Sequence, residues 1–167
     1  MNIKLQARLF STYRRVFRRY EEPAAPIDER GIECQDGWYG LIDELAWAAE
    51  QEIEKLVAQE VPAYEWPRVS QIKEKFGGLR FYISGKVSDS FLRLREDICY
   101  QRSFRVCEAC GGPGRLTNGQ TLCDACENDR SKESSKTLKD LKREHQKTLE
   151  LLKTRDIYES KGERNAF

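Results

Sequence analysis

The sequence has only one histidine, His145, and no apolar segment near the ~20 residues that a membrane span requires. It also contains no Walker, Rossmann or protein-kinase pattern. His145 is far along the chain from the cysteines that could serve as nucleophiles, and paired carboxylates such as Asp43/Glu44 are typical of a solvated helix face. We therefore expect a non-enzymatic protein with no catalytic residues and no membrane association.

A strong overall charge is also missing, since the net charge is +1 and the pI is about 7.5. That value falls well short of the basic character expected of a dedicated nucleic-acid binder. The charges are nevertheless segregated, with six basic and no acidic residues in 1–20 and twelve acidic against two basic residues in 21–60. The first segment either packs against the second, or the two present opposite charges to a partner.

An apolar secretion signal is absent from the Arg-rich, amphipathic N-terminus. Six cysteines without such a signal indicate a reducing compartment, and we expect a cytoplasmic location. Cys34 and Cys99 are predicted to be free buried thiols, with a fifth metal contact as the alternative.

The most specific motif is a pair of Cys-x-x-Cys sequences separated by twelve residues, Cys107/Cys110 and Cys123/Cys126. This spacing presents four thiolates to one tetrahedral metal ion and predicts a structural zinc site. Four thiolates fill the coordination shell, so no position is left for a catalytic water. Two disulfides are the alternative, and the βαβ setting of a redox Cys-x-x-Cys is not recognisable.

Between the cysteine pairs, Asn118-Gly119 predicts a type I′ turn and hence a short hairpin that folds the second pair onto the first. A helix-forming run follows Cys123, so the second pair is expected at a helix N-terminus. Knuckle, hairpin and helix together predict a treble-clef or zinc-ribbon-like module. Arg105, Arg115 or Arg130 and backbone N–H groups should surround the thiolates.

Hydrophobic spacing divides the chain into four parts: a basic amphipathic helix over 1–20, an α+β body over 21–106, the four-cysteine zinc module over 107–130, and a charged C-terminal helix with a frayed tail over 131–167. Residues 21–31 are predicted to be an extended linker because of Pro23 and Pro26. Within the body, helices around Leu41–Leu56 and Phe91–Ile98 should pack on a hairpin, Val69–Ser84, that turns at Gly77-Gly78. The residues expected to be buried are Trp38, Leu45, Phe76, Phe81 and Ile98.

The C-terminal helix, from about Ser131 to Tyr158, has an apolar stripe formed by Leu138, Leu141, His145, Leu149 and Leu152. This stripe covers only two to three heptads, fewer than a coiled-coil assignment usually requires. Packing on the body and homodimer formation are equally consistent with it.

Several blocks of sequence carry a resemblance. They are Leu5–Phe10 (LQARLF), Gly31–Tyr39 (GIECQDGWY) and Ile72–Tyr82 (IKEKFGGLRFY), followed by the four cysteines. Together they resemble a group of small, largely uncharacterised proteins encoded by tailed bacteriophages and prophages. The resemblance covers roughly Leu5 to Asp129. Gln35 stands where these proteins typically have a glycine. Ala46 stands where they commonly have a cysteine, which argues against metal ligation from the helix around Leu41–Leu56. The resemblance implies a bacterial host cytoplasm and no established activity.

Two function classes remain. The first is a phage accessory protein that binds a host or defence protein through a zinc-braced surface. The second is a nucleic-acid binder that uses the basic N-terminal helix or the hairpin, where Lys73, Lys75 and Arg80 alternate with Phe76, Phe81 and Tyr82. The near-neutral pI favours the first.

Overall fold

The computed structural model describes residues 1–17, 31–87 and 90–162. The described chain is α+β, with helices packed on an antiparallel hairpin, as predicted. It divides into two compact units, Met1–Cys126 and Glu127–Phe167. The first holds the hydrophobic core and all six cysteines.

The N-terminal helix, α1, spans Ile3–Thr12, and the side chain of Asn2 caps it by accepting hydrogen bonds from the N–H groups of Lys4 and Leu5. The predicted helix to Tyr20 is wrong over Tyr13–Phe17. Its last residues, Arg18–Tyr20, and the predicted linker up to Arg30 lie outside the described residues. The backbone after Thr12 has tertiary partners instead. The N–H groups of Arg15 and Val16 donate to Glu50, and the Val16 carbonyl accepts from Val69.

Helix α2, Tyr39–Ala58, supplies the largest part of the core. It follows a 3-10 turn, Asp36–Trp38, whose Trp38 side chain is fully buried. The buried positions of α2 recur every three or four residues, as the sequence predicted. They are Leu41, Ile42, Leu45, Ala46, Ala48, Ala49, Glu52, Ile53 and Leu56.

Strands β1, Arg68–Lys75, and β2, Gly78–Ser84, form the predicted hairpin. The turn consists of Phe76 and Gly77, with φ values of +56° and +77°, rather than of Gly77-Gly78. This shift places the Phe76 ring in solvent, 73% exposed, so its predicted burial is wrong. The predicted burial of Trp38, Leu45 and Phe81 is confirmed.

Helix α3, Ser90–Ser103, packs on α2 and β2. Its buried residues include Leu92, Cys99 and Ser103, which lie seven and four residues apart. Ile98 is one position, about 100° around the helix, from Cys99. Its side chain is 37% exposed, so the predicted burial of Ile98 is wrong.

The second hairpin consists of β3, Arg115–Thr117, and β4, Gln120–Leu122. The two strands pair antiparallel, with Arg115 opposite Leu122. The turn residues Asn118 and Gly119 both have positive φ, which confirms the predicted type I′ geometry.

Helix α4 spans Asp124–Gly162, so it begins seven residues before the predicted Ser131. The frayed tail was predicted over 161–167, but Lys161 and Gly162 belong to α4, and 163–167 lie outside the described residues. The side chains of Leu149 and Leu152 in the predicted stripe also lie outside them. No helix among the described residues is long and apolar enough to cross a membrane.

Candidate metal centre

The first Cys-x-x-Cys sequence forms a tight turn between the end of α3 and the second hairpin. The Gly111 N–H donates to the Cys107 carbonyl at 2.9 Å, and the Cys107 N–H donates to the Gly112 carbonyl at 2.7 Å. A bridge between Val106 and Pro113 closes the base of the turn. These bonds direct Cys107 and Cys110 to the same side of the chain.

The second hairpin returns the chain to this turn, as predicted. Leu122, at the end of β4, is buried, and Cys123 directly precedes the first residue of α4. Cys126 lies in the first turn of α4. The helix start therefore positions the second cysteine pair against the first.

The sulfur atoms of Cys107, Cys110, Cys123 and Cys126 all lie within 4.8 Å of one another. The Sγ atoms of Cys110 and Cys123 are 3.8 Å apart, well beyond the disulfide length of about 2.05 Å. A tetrahedral ion with Zn–S bonds of about 2.3 Å requires sulfur atoms about 3.8 Å apart. The four cysteines thus lie together with a spacing that fits a tetrahedral metal ion.

Backbone N–H groups favour the thiolate form of Cys107. Burial acts to raise the pKa of Cys107, but N–H groups of Cys110, Cys123 and Ala109 outweigh it and lower the pKa from 9.0 to about 7. Hydrogen bonds with Cys123 and Cys110 raise the pKa of Cys126 to about 12. Metal binding must therefore release the protons that the cluster retains.

One of the arginines predicted around the cluster, Arg115, forms an ion pair with the residue that follows Cys123. Arg115 pairs with Asp124 at 2.6 Å, across the hairpin and the start of α4. Backbone N–H groups were also predicted around the thiolates, and those of Cys110, Cys123 and Ala109 lie at Cys107. The pairing of Arg115 with Asp124 ties β3 to the helix that carries Cys126.

The first cysteine turn is docked on the 3-10 turn that precedes α2. The Gly37 N–H donates to the Glu108 carbonyl at 2.7 Å, and the Trp38 indole N–H donates to the Val106 carbonyl at 2.8 Å. A Cβ atom on Gly37 would lie 2.2 Å from the Cys107 carbonyl oxygen. This contact was not predicted, and its only signal in the sequence is the glycine directly before a large aromatic residue, Trp38.

The second hairpin is docked on the turn of the first. The buried hydroxyl of Thr121 donates to the Gly77 carbonyl at 2.7 Å. The side chain of Leu116 lies over Gly77, where a Cβ atom would be 2.1 Å from its Cδ1. The cysteine cluster, the second hairpin and the β1–β2 turn are therefore one continuous structure.

The remaining cysteines lie outside the cluster. Burial raises the pKa of Cys34 to about 12 and that of Cys99 to about 11. Both side chains are buried, as predicted, and neither belongs to the four-cysteine group. Both are therefore poor nucleophiles at neutral pH.

The basic and aromatic residues of the first hairpin do come together. Lys73 lies 5.6 Å from the centre of the Tyr82 ring, and Lys75 lies 5.4 Å from that of Phe76. Arg80 stacks on Tyr100 of α3 at 4.2 Å. His145, in contrast, is an exposed residue of α4.

No protein-family model, curated protein or solved structure matches this chain.

Proposed function

We propose that Cys107, Cys110, Cys123 and Cys126 hold a single structural zinc ion in a treble-clef module. The spacing of the sulfur atoms supports a tetrahedral ion. Four soft thiolate donors favour zinc over calcium or magnesium, which require oxygen ligands. Zinc would fix the second hairpin, which in turn packs on the β1–β2 turn.

We further propose that the protein is a phage-encoded accessory factor that binds a host or defence protein in the bacterial cytoplasm and has no enzymatic activity of its own. Such a role in host takeover requires a rigid contact surface. The observation that carries this proposal is the conformation and exposure of Phe76.

Phe76 is costly in two ways. Its φ of +56° is in the left-handed region, which costs a non-glycine residue about 1 kcal/mol or more. Its ring is largely in solvent and gains little from burial. A bulky aromatic residue that is strained and exposed is best explained by contact with a partner, because large aromatic side chains dominate binding energies.

The structure around Phe76 is firmly supported. The Thr121 hydroxyl donates a hydrogen bond to the Gly77 carbonyl. The side chain of Leu116 is about half exposed and lies over the same glycine. Phe76 and Leu116 are thus two exposed apolar residues that both adjoin Gly77, and we call them the hairpin tip. Pre-organised apolar groups of this kind lose little conformational entropy on binding.

The opposite charges of residues 1–20 and 21–60 contribute less to a partner-binding surface than the sequence suggests. Arg15 of the basic N-terminal segment pairs with Glu50 at 2.7 Å and also with Glu54. Glu44 pairs with Arg95 at 2.7 Å and with Arg102 at 2.5 Å. Arg15 of the basic segment and Glu44, Glu50 and Glu54 of the acidic segment are therefore already paired inside the first unit, and we propose the hairpin tip as the contact surface.

Nucleic-acid binding is the second candidate. Lys73, Arg80, Tyr82 and Tyr100 combine positive charge with aromatic faces, a pattern found in proteins that stack bases. These residues are already engaged in contacts with one another in the free protein, and the pI is near neutral. Tight binding to single-stranded DNA or RNA that weakens steeply with salt would favour this candidate.

The first prediction concerns Phe76→Asn. Asn-Gly is the preferred type I′ sequence and already forms the turn of the second hairpin. The variant should be more stable by about 1 kcal/mol, because asparagine tolerates positive φ. It should bind the partner about thirtyfold more weakly, because an aromatic anchor is lost. Partners are captured from bacterial host lysate with the parent protein and identified by mass spectrometry. Their affinity is then measured with the purified partners.

A matched control is Tyr64→Asn, which removes an exposed aromatic residue away from the hairpin tip. It should leave partner binding unchanged. If Phe76→Asn is stabilised yet captures the same proteins with the same affinity, the hairpin tip is not the contact surface.

The second prediction concerns α4, where Leu138 and Leu141 are 54% and 58% exposed. We propose that this stripe forms a homodimer, because exposed leucines at helical spacing favour pairing of helices. Deleting residues from Ser131 onward should convert a dimer to a monomer in sedimentation equilibrium and leave the zinc content unchanged. A full-length protein that is monomeric at all concentrations tested would refute the dimer.

A further inference from the structure

The second strand of the first hairpin pairs with β1 on one edge and with no other strand among the residues that the structure describes. The two-residue turn closes on Lys75 and Gly78, so alternate residues of β2 exchange hydrogen bonds with β1. The N–H and C=O groups of Leu79, Phe81 and Ile83 therefore point away from β1. The Leu79 N–H confirms this direction, since it donates to the buried Ser103 hydroxyl of α3 at 3.0 Å.

Beyond Leu79 the backbone groups of this edge are unpaired within residues 1–17, 31–87 and 90–162. Among the residues that the structure describes, no group pairs with the outward N–H and C=O groups of Phe81 and Ile83. The outer edge of β1 differs, because the Glu33 N–H donates to the Ile72 carbonyl at 2.9 Å and the Glu33 carbonyl accepts from the Glu74 N–H at 3.0 Å. Within the described part of the chain, one edge of the hairpin is thus protected and the other is open.

A cleft of about 290 Å³ lies between this open edge and α3. Its buried lining is apolar and consists of Leu45, Leu79 and Phe81. Its opposite wall is formed by Glu96, Asp97 and Tyr100 of α3. A strand edge beside a cleft with an apolar base is the geometry in which an extended peptide adds to a sheet.

The charge that remains available in the cleft is acidic. Arg80 is stacked on Tyr100 and donates to its hydroxyl at 3.2 Å. Glu96 pairs with Arg93 at 2.9 Å, and its side chain is 19% exposed. Asp97 is exposed and has no ion-pair partner in the described part of the chain. A positively charged side chain would therefore be attracted to Asp97.

We infer that the cleft between β2 and α3 binds an extended segment of a partner protein by strand addition. The segment pairs with the backbone of Phe81 and Ile83, places an apolar side chain over Leu45 and Leu79, and directs a lysine or arginine to Asp97. This inference rests on the proposed protein-binding function and adds a second, chemically distinct contact surface to the hairpin tip.

The test uses the full-length protein and a display library of random peptides of about ten residues, long enough to form a strand. Enriched peptides should alternate apolar residues with lysine or arginine. Methylation of the backbone nitrogens that face β2 should weaken binding about tenfold each, because each methyl group removes a hydrogen-bond donor. Methylation of the alternate nitrogens should have little effect. Equal losses of affinity after methylation of either set of nitrogens would overturn strand addition.

Two variants test the site on the protein. Ile83→Pro removes one outward N–H without removing a bond to β1, a position where an edge strand tolerates proline. Asp97→Lys reverses the exposed charge, and Asp140→Lys on α4 is its control for net charge. Both cleft variants should bind the selected peptides at least about tenfold more weakly than the parent protein, and the control should bind them normally. Normal binding by both cleft variants, or the absence of any enriched peptide, would overturn the inference.

Amide hydrogen exchange locates the bound peptide independently of stability. Phe81 and Ile83 should become protected when the peptide is added. Protection centred on Phe76 instead, or concentration-dependent pairing of the protein through its own β2 edge, would contradict the inference. Phe76→Asn should still bind the selected peptides. If Phe76→Asn loses host-protein capture while the two cleft variants keep it, the result supports the hairpin tip and not the cleft.

Discussion

Replacing Gly37 by alanine is expected to destabilise the protein by about 3 kcal/mol, the upper part of the range for steric overpacking. The added Cβ atom would lie 2.2 Å from the Cys107 carbonyl oxygen, 2.4 Å from the Gly111 nitrogen and 2.6 Å from the Glu108 carbonyl oxygen. These are backbone atoms of the first cysteine turn, so they cannot move aside as a flexible side chain would. Thermal unfolding should show a melting temperature lower by about 10 °C.

Gly40→Ala is the matched control. A Cβ atom at Gly40 meets nothing within 4 Å, and the residue lies in the first turn of α2. Alanine in a helix is more favourable than glycine by about 0.5–1 kcal/mol, so this variant should be slightly more stable than the parent protein. Equal melting temperatures for the parent and Gly37→Ala would show that the cysteine turn is not tightly docked on the body.

Replacing Cys107 by alanine is expected to abolish stable zinc binding and unfold the segment after Arg105. Structural zinc contributes about 10 kcal/mol or more to the folding of small modules, so the loss of one of four ligands removes most of their stability. Cys107 is the buried cysteine of the cluster, and its sulfur accepts several backbone N–H groups, so its removal also leaves those donors unsatisfied. Amide hydrogen exchange should show rapid exchange throughout β3 and β4.

Cys99→Ala is the control, since it removes a buried thiol that does not belong to the cluster. It should lower stability slightly and leave zinc stoichiometry unchanged. Slow exchange of β3 and β4 in Cys107→Ala would mean that the second hairpin folds without the metal, through contacts such as Thr121 with Gly77.

The cysteine cluster and the buried face of α2 could be predicted because both depend on the spacing of residues close together in the sequence. Two Cys-x-x-Cys turns and an Asn-Gly turn between them leave few ways to arrange the sulfur atoms, and the structure brings all four together. The apolar positions of α2 recur at helical spacing and are buried as expected.

The errors come from tertiary contacts and from one shift of a turn. The sequence predicts Phe76 as a buried residue of the hairpin, but Phe76 occupies the two-residue turn itself. The helix α1 ends early because Glu50 and the β1 strand bond the backbone after Thr12. The contact of Gly37 with the cysteine turn joins residues about seventy positions apart, which hydrophobic periodicity does not reveal.

Zinc K-edge X-ray absorption of the full-length protein, purified without chelator, tests the central claim most directly. The proposed site predicts one zinc ion per chain with four sulfur neighbours at about 2.3 Å and no nitrogen or oxygen ligand. A protein without zinc, a first shell that contains nitrogen or oxygen, or cysteines recovered as two disulfides would contradict it.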